Sequence, residues 1–182
     1  HRDLHSFPTR RSSDLDADAA RAQAGATEFG GEALTDIAAL RGRADAAIVA
    51  VPTTLHAEVG CALMEAGLDV LIEKPIASTV AEAERLVATT AAHGRILQVG
   101  QLERFNPAVL ALAKAVRVPL FFEVHRLSVF APRSLDVDVV LDLMIHDLDI
   151  VLSLVGEEPN EVRAAGIRIL SEKVDIANVR LA

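Results

Sequence analysis

Short apolar segments alternate with helical segments between residues 45 and 100, and this alternation constrains the fold more than any other feature. The apolar runs lie between Gly, Pro, Ser and Thr residues that mark turns and helix caps. In chain order, the predicted strands and helices are Asp45–Val51, His56–Ala66, Asp69–Ile72, Thr79–Ala92 and Arg95–Gly100. Strands joined through helices by short loops pair in parallel through right-handed crossovers. The sequence therefore predicts an α/β fold with a doubly wound parallel sheet.

The segments on either side of this region follow other patterns. Before it, the residues predict a helix at Asp16–Ala26, ending near Gly25, and a short helix at Leu34–Leu40. After it, the predicted elements are a helix at 106–116, a strand at 118–126, a helix at 137–155 and strands at 160–170 and 175–181. The last two strands alternate apolar and polar residues, which predicts an antiparallel pair after the parallel sheet.

His1–Leu15 differs from the rest of the chain. The segment is rich in Arg, Ser and His, has neither a helical nor a strand period, and does not begin with Met. It resembles a translated sequencing adaptor, so we expect that it replaces a native N-terminus; a disordered basic tail is the alternative. The chain also ends inside a predicted strand, from which we expect a truncation at the C-terminus.

Composition argues against some classes of partner. The net charge of −8 and the pI near 5.2 argue against nucleic acid, which usually requires a basic surface. No apolar run approaches the roughly 20 residues of a transmembrane helix, so no membrane contact is expected. Cys61 is the only cysteine, which excludes a disulfide within the chain and fits the cytoplasm.

Glu73 and Lys74 directly follow the predicted strand Asp69–Ile72. Ligands of open α/β sheets bind just beyond the carboxyl ends of the strands, so a lysine at this point is a candidate for chemistry. The alternative is a solvated ion pair, because charged residues are common at the surface. These residues alone leave both interpretations open.

Asp142 and His146 are four residues apart and would share one face of a helix. Imidazole is suited to proton transfer near neutral pH, and a carboxylate one turn away would orient it or raise its pKa. The apolar residues around the pair favour partial burial, although such pairs also occur on surface helices. Asp149 adds no recognised metal-ligand spacing, and no metal site is predicted.

Pro52, Thr53 and His56 follow the first predicted strand of the parallel sheet. Hydroxyls or backbone amides there would line a cofactor cleft at the carboxyl edge. His56 is alternatively an ordinary residue in the first turn of a helix.

Three arginines are candidates for contact with an anionic ligand, because guanidinium groups bind phosphate and carboxylate oxygens in a fork. They are Arg104, Arg126 and Arg133. For each one alone, solvation at the surface is the favoured interpretation.

Three segments together resemble the Gfo/Idh/MocA family of NAD(P)-dependent oxidoreductases. They read DAAIVAVPTTLHAEVGCALMEAGLDVLIEKPIAST, QVGQLERFNP and DLMIHDLDIVLSLVG. Glu-Lys-Pro after a strand, the preceding Pro-x-x-x-His and the later Asp-x-x-x-His carry the resemblance, which covers residues 16–182. It implies a Rossmann domain followed by an α/β domain on a mostly antiparallel sheet. The expected divisions are a non-native tail at 1–15, a partial dinucleotide-binding domain at 16–116 and a partial substrate and oligomerisation domain at 117–182.

The resemblance also implies roles by position. Lys74 matches a lysine near the nicotinamide and the substrate hydroxyl, while Asp142 and His146 match a pair that faces the substrate, with His146 as acid/base. The positions matched to cofactor contacts are Asp16, Pro52, Thr53, His56, Glu73 and Lys74. Asp16 would bind the adenosine ribose, although the strand expected before it is missing from the predicted elements.

The activity implied by the resemblance is hydride transfer from a secondary alcohol of a sugar to NAD, with NADP as the alternative. GQLERFNPAV, HRLSVFAPRSLDVDVVLDLMIHDLDI and DIANVRL resemble a subgroup that oxidises the 3-hydroxyl of UDP-N-acetylglucosamine for lipid A synthesis. In that case Arg104, Arg126 or Arg133 would contact the substrate pyrophosphate. The alternatives are a dehydrogenase of inositol or another sugar, and a non-catalytic dinucleotide-binding protein.

The sequence contains no G-x-G-x-x-G motif, which would cradle a pyrophosphate. We therefore expect these 182 residues, as written, to bind NAD poorly and to be inactive. For the full-length protein we expect a homo-oligomer in the cytoplasm whose partner is a small sugar or nucleotide sugar.

Overall fold

The computed structural model describes residues 13–128 and 137–182 of the chain. Its strands and helices, in chain order, are β1 (Ser13–Leu15), α1 (Ala19–Phe29), β2 (Glu32–Leu34), β3 (Ala46–Val49), α2 (His56–Glu65), β4 (Asp69–Ile72), α3 (Val80–His93), β5 (Leu97–Val99), α4 (Pro107–Ala115), α5 (Ile145–Val155), β6 (Val162–Ile167) and β7 (Ile176–Leu181). Short 3₁₀ turns occupy Ile37–Leu40, Thr53–Leu55 and Leu102–Phe105, and a π-helical turn at Val140–Met144 leads into α5.

The parallel sheet predicted from the alternating pattern is confirmed. β3, β4 and β5 are hydrogen-bonded in that order, and both pairs are parallel. β1 and β2 form a separate parallel pair, while β6 and β7 form an antiparallel pair from Val162↔Leu181 to Ile167↔Ile176. No helix within residues 13–128 and 137–182 is long and apolar enough to cross a membrane.

The core lies where α2 and α3 pack against β4. Met64, Ile72 and Leu86 are fully buried, and the packing is aliphatic because the chain is poor in aromatic residues. Gly60 permits the close approach: a Cβ built on it would lie 2.8 Å from both the Ile72 Cδ1 and the Leu86 Cδ2 atoms. This packing holds β4, the strand that leads to Lys74, against the two helices.

Leu86 and Val87 are neighbouring apolar residues on α3. In the structure Leu86 is 0% exposed and Val87 is 59% exposed, because consecutive helical residues point about 100° apart. We expect Leu86→Ala to lower the free energy of unfolding by about 2–5 kcal/mol. Val87→Ala is the matched control and should change it by less than about 0.5 kcal/mol. Urea denaturation measures both; equal losses would contradict this placement of the core.

The N-terminal elements differ from the sequence prediction. Residues 13–15, expected in an irregular tail, form β1, which a three-residue run is too short to reveal by periodicity. Helix α1 passes through Gly25 and ends at Gly30, which has a φ of 73°. Gly25 instead lets the helix approach β1, since a Cβ there would lie 2.9 Å from the Asp14 Oδ1 atom.

Two further elements were predicted wrongly. The helix expected at Leu34–Leu40 is the end of β2 followed by a 3₁₀ turn, with Asp36 as the N-cap of that turn. The strand expected at 118–126 is not formed, because no other strand of the described chain is hydrogen-bonded to it. A strand requires a partner for its backbone groups, and the local sequence cannot supply that information.

Candidate functional site

A cavity of about 430 Å³ lies at the carboxyl ends of β3 and β4. The segment leaving β3 forms one wall, the segment leaving β4 forms another, and residues before α5 complete it. The lining residues are Ala50, Val51, Pro52, Thr53, His56, Glu73, Lys74, Pro75, Val137 and Asp142. Ligands of parallel α/β sheets bind at this edge. The cavity therefore brings together six of the residues singled out from the sequence, although they come from three distant stretches of the chain.

Lys74 and Asp142 are in direct contact. The Lys74 Nζ atom donates to the Asp142 backbone carbonyl at 2.8 Å and to the Asp142 Oδ1 atom at 3.1 Å. The two side chains are 22% and 34% exposed, so the ion pair is partly shielded from water. A partly shielded ammonium held by two oxygens has a defined position, which a solvated surface pair lacks.

The π-helical turn shapes this contact. The Ile145 N–H donates to the Val140 carbonyl, five residues back, so the turn is wider than an α-helical one. Asp142 lies within the turn, and its carbonyl accepts the Lys74 ammonium. The sequence predicted that the Asp142 carboxylate would act on His146; in the structure it reaches Lys74 instead, since the π turn changes the helical register.

His146 lies in the first turn of α5. Burial lowers its pKa, and the positive charges of Lys74 and Arg126 lower it further, while Glu103 and Asp147 act in the opposite direction. Its Nδ1 atom is buried and has no hydrogen-bond partner among the described residues. An imidazole whose pKa is lowered is neutral near neutral pH and is able to accept a proton, which is the property of a general base.

The link between Arg126 and His146 is testable. Arg126→Met removes a positive charge that opposes protonation of His146. The substitution also removes the partner of Asp147, whose negative charge favours protonation of His146. We therefore expect the pKa of His146 to rise in this variant. Arg104→Met is the matched control, since Arg104 pairs with α5 in the same way but does not contribute to the shift. NMR titration of the His146 ring measures both; an unchanged pKa in Arg126→Met would contradict the electrostatic argument.

Glu73 borders the cavity beside Lys74. Its N–H donates to the Val49 carbonyl at 3.0 Å and so extends the pairing of β4 with β3. Its carboxylate lies over Gly100, where a built Cβ would be 3.0 Å from the Glu73 Oε2 atom. The glycine after β5 thus provides the space in which this carboxylate reaches the edge of the site.

His56 lines the cavity but is only 1% exposed. Its Nδ1 atom is 2.8 Å from the Pro75 carbonyl oxygen, and its Nε2 atom is 3.0 Å from the Val51 carbonyl oxygen. Both ring nitrogens are therefore occupied by the protein. The ring therefore offers no free nitrogen to a ligand, and the cofactor contact that the sequence predicted for His56 stays a prediction. Thr53 is 7% exposed and Pro52 lies on the exposed rim.

The predicted anion-binding arginines are paired with acids of α5. Arg104 makes two hydrogen bonds of 2.6 Å to the Asp149 carboxylate, and Arg126 contacts Asp147 at 2.7 to 3.0 Å. A substrate pyrophosphate would have to share them with these carboxylates. Sequence reasoning missed this role of Asp147 and Asp149, because their partners are distant in the chain. Arg133 lies outside the described residues.

Asp16 directly follows β1, so the strand that the sequence left unassigned is present. Its Oδ1 atom accepts the N–H of Asp18, the N-cap of α1, at 2.8 Å. The carboxylate thus lies at the carboxyl end of a parallel strand and at the start of a helix. Across residues 13–128 and 137–182, no group of three or more His, Cys, Asp or Glu side chains is arranged to hold a metal ion.

Comparison with known proteins agrees with this architecture. Residues 13–101 match the family model described as "Oxidoreductase family, NAD-binding Rossmann fold", GFO_IDH_MocA. The matched part of the chain, residues 13–101, belongs to the Gfo/Idh/MocA family.

Within this family, the chain is similar to UDP-N-acetylglucosamine 3-dehydrogenase of Acidithiobacillus ferrooxidans, with 40% identity over 90% of this chain and 52% of the relative. It is 34% identical to inositol 2-dehydrogenase of Acidothermus cellulolyticus, over 84% of this chain and 48% of that protein. A solved structure of the Acidithiobacillus enzyme matches with a TM-score of 0.87 and 38% identity, covering 93% of this chain and 57% of that one. The chain spans about half the length of the curated relatives it matches.

Proposed function

We propose that the full-length protein is a nicotinamide-dependent dehydrogenase that oxidises a secondary alcohol of a nucleotide sugar. The observation that carries this proposal is the Lys74 ammonium, which Asp142 holds at the carboxyl edge of a parallel sheet. His146, a partly buried imidazole of lowered pKa, lies within the electrostatic range of that ammonium. A fixed positive charge and a proton acceptor together assist the oxidation of an alcohol.

In the proposed reaction, Lys74 donates a hydrogen bond to the substrate hydroxyl oxygen and stabilises the negative charge that develops there. The His146 imidazole accepts the hydroxyl proton as the carbonyl forms. Asp142 fixes the lysine through its backbone and side-chain oxygens. The hydride leaves the carbon in the same step, so that the alcohol is oxidised to a ketone and one proton remains on the imidazole.

When bound, NAD supplies the acceptor for that hydride. The residues present fit its nicotinamide end, because polar side chains including Glu73 line the cavity at the carboxyl edge of the sheet and the buried Nδ1 atom of His146 has no partner among the described residues. Pro52, Thr53 and Glu73 would hold the nicotinamide half. Asp16 would bind the adenosine ribose, where a carboxylate favours NAD over NADP.

The favoured substrate is UDP-N-acetylglucosamine, oxidised at its 3-hydroxyl. This choice is supported by the 40% identity to the Acidithiobacillus enzyme of that name. An inositol is the second candidate, because the inositol 2-dehydrogenase of Acidothermus cellulolyticus is 34% identical over a similar share of the chain. In the first case Arg104, Arg126 or Arg133 would contact the pyrophosphate, and the first two would share it with the carboxylates of Asp149 and Asp147. We also propose that the full-length protein forms a homo-oligomer.

The test is a substrate screen of the purified full-length protein with NAD and with NADP, followed by the absorbance of the reduced nicotinamide. UDP-N-acetylglucosamine, free N-acetylglucosamine and myo-inositol are the substrates to compare. We expect turnover with the nucleotide sugar and much slower turnover with the free sugar, which lacks the pyrophosphate. Turnover with inositol alone would favour the second candidate, and cofactor binding without any turnover would favour a non-catalytic protein.

A further inference from the structure

The buried His56 imidazole connects the two segments that form the walls of the cavity. It is the first residue of α2 and is 1% exposed, so its contacts are made within the protein interior. The Val51 carbonyl belongs to the segment that leaves β3, and the Pro75 carbonyl belongs to the segment that leaves β4. The ring therefore joins the ends of two neighbouring strands directly under the site.

A neutral imidazole donates a hydrogen bond through only one of its nitrogens. The contact of Nδ1 with the Pro75 carbonyl is the shorter of the two, at 2.8 Å against 3.0 Å for Nε2 with the Val51 carbonyl. Pro75 is bonded to Lys74, so this contact acts on the backbone next to the ammonium-bearing residue. With its proton on Nδ1, the ring would donate to the Pro75 carbonyl and hold the backbone next to the lysine.

We propose that His56 is a positioning residue for Lys74, holding the backbone next to the lysine through an Nδ1–H hydrogen bond to the Pro75 carbonyl. Lys74 is then fixed at two ends: Asp142 holds its Nζ atom, and His56 holds the peptide that follows it. Without His56, the Nζ contact remains but the backbone is free to shift. A misplacement of about 1 Å costs on the order of 100-fold in rate. The kinetic part of this inference rests on the proposed dehydrogenase function.

Three substitutions of His56 in the full-length protein separate the two ring contacts. The amide nitrogen of Asn takes the place of Nδ1 and keeps the donor to the Pro75 carbonyl, whereas that of Gln takes the place of Nε2 and faces the Val51 carbonyl instead. Leu keeps neither. We expect His56→Leu and His56→Gln to lower kcat by about 10- to 100-fold with smaller changes in KM, and His56→Asn to retain most of kcat. Equal values for Asn and Gln, or an unchanged kcat for Leu, would overturn the proposal.

A second measurement does not depend on activity. An acylating reagent modifies exposed lysines, and mass spectrometry follows Lys74 and Lys114 separately. We expect Lys74 to be labelled faster in His56→Leu and His56→Gln than in the wild type and in His56→Asn. Lys114 lies exposed on α4 and serves as the internal control. Faster labelling of both lysines would indicate general unfolding and would reject a specific positioning role.

These outcomes are distinguishable from failure of the proposed function. If Lys74→Ala retains full turnover, the dehydrogenase mechanism fails, while the labelling of Lys74 still decides whether His56 positions it. If Lys74→Ala is inactive but His56→Leu has wild-type kcat and wild-type labelling, only the role of His56 is rejected. If His56→Leu does not fold, the comparison of Asn with Gln decides.

Discussion

Lys74→Ala is expected to lower kcat of the full-length protein by about 100- to 1,000-fold, the range observed when one preorganised donor to a developing oxyanion is removed. Lys74 is the cation of the cavity, and its Nζ atom is already held 2.8 Å and 3.1 Å from the two Asp142 oxygens. Substrate binding should change less than kcat, since the charge on the substrate oxygen develops only in the transition state. Steady-state kinetics with varied nucleotide sugar measures the two effects separately.

Two control variants support the interpretation of this result. Lys114→Ala removes the same charge from an exposed position of α4 and should leave kcat unchanged. Lys74→Arg keeps the positive charge but replaces a compact ammonium with a planar fork, so we expect only partial activity. Wild-type turnover in Lys74→Ala would remove the basis of the proposed mechanism.

His146→Ala is expected to lower kcat by about 100- to 10,000-fold, the usual contribution of a general acid or base. The effect should depend on pH. In the wild type, kcat/KM falls on the acid side as His146 becomes protonated, and burial together with the charges of Lys74 and Arg126 places that fall below the ordinary pKa of histidine. His146→Ala should abolish this fall, because the group that titrates is gone.

The matched control for this variant is His93→Ala. His93 lies exposed in the last turn of α3 and should affect neither kcat nor the pH profile. If kcat/KM of His146→Ala still falls on the acid side as in the wild type, the proton transfer belongs to another group.

Lys74 and the sheet edge were predictable from local sequence. The apolar run of β4 and the capping box of Thr79 and Glu82 each depend on residues within a few positions of one another. The position of Lys74 follows, because the residue after a buried parallel strand lies at the ligand-binding edge. Such features are local, and local features leave a periodic or capping pattern in the sequence.

Partnerships between distant residues were not predictable. Arg126 and Asp147 are separated by 21 residues, and Lys74 and Asp142 by 68 residues. No pattern distinguishes these pairs from solvated charges until the chain brings them together. β1 was missed for a related reason: three residues show no period, and the strand exists through its pairing with Glu32–Leu34.

The amino-acid sequence by itself determined the alternation of strands and helices, the parallel β3–β5 sheet and the candidate residues Lys74, Asp142 and His146. Only the tertiary structure decided how they are used. It joined Asp142 to Lys74 rather than to His146, paired Arg104 and Arg126 with carboxylates, and placed both ring nitrogens of His56 against backbone carbonyls at the cavity. The physical reason is that hydrogen bonds and ion pairs act over a few ångströms, so their partners are chosen by packing in space rather than by distance along the chain.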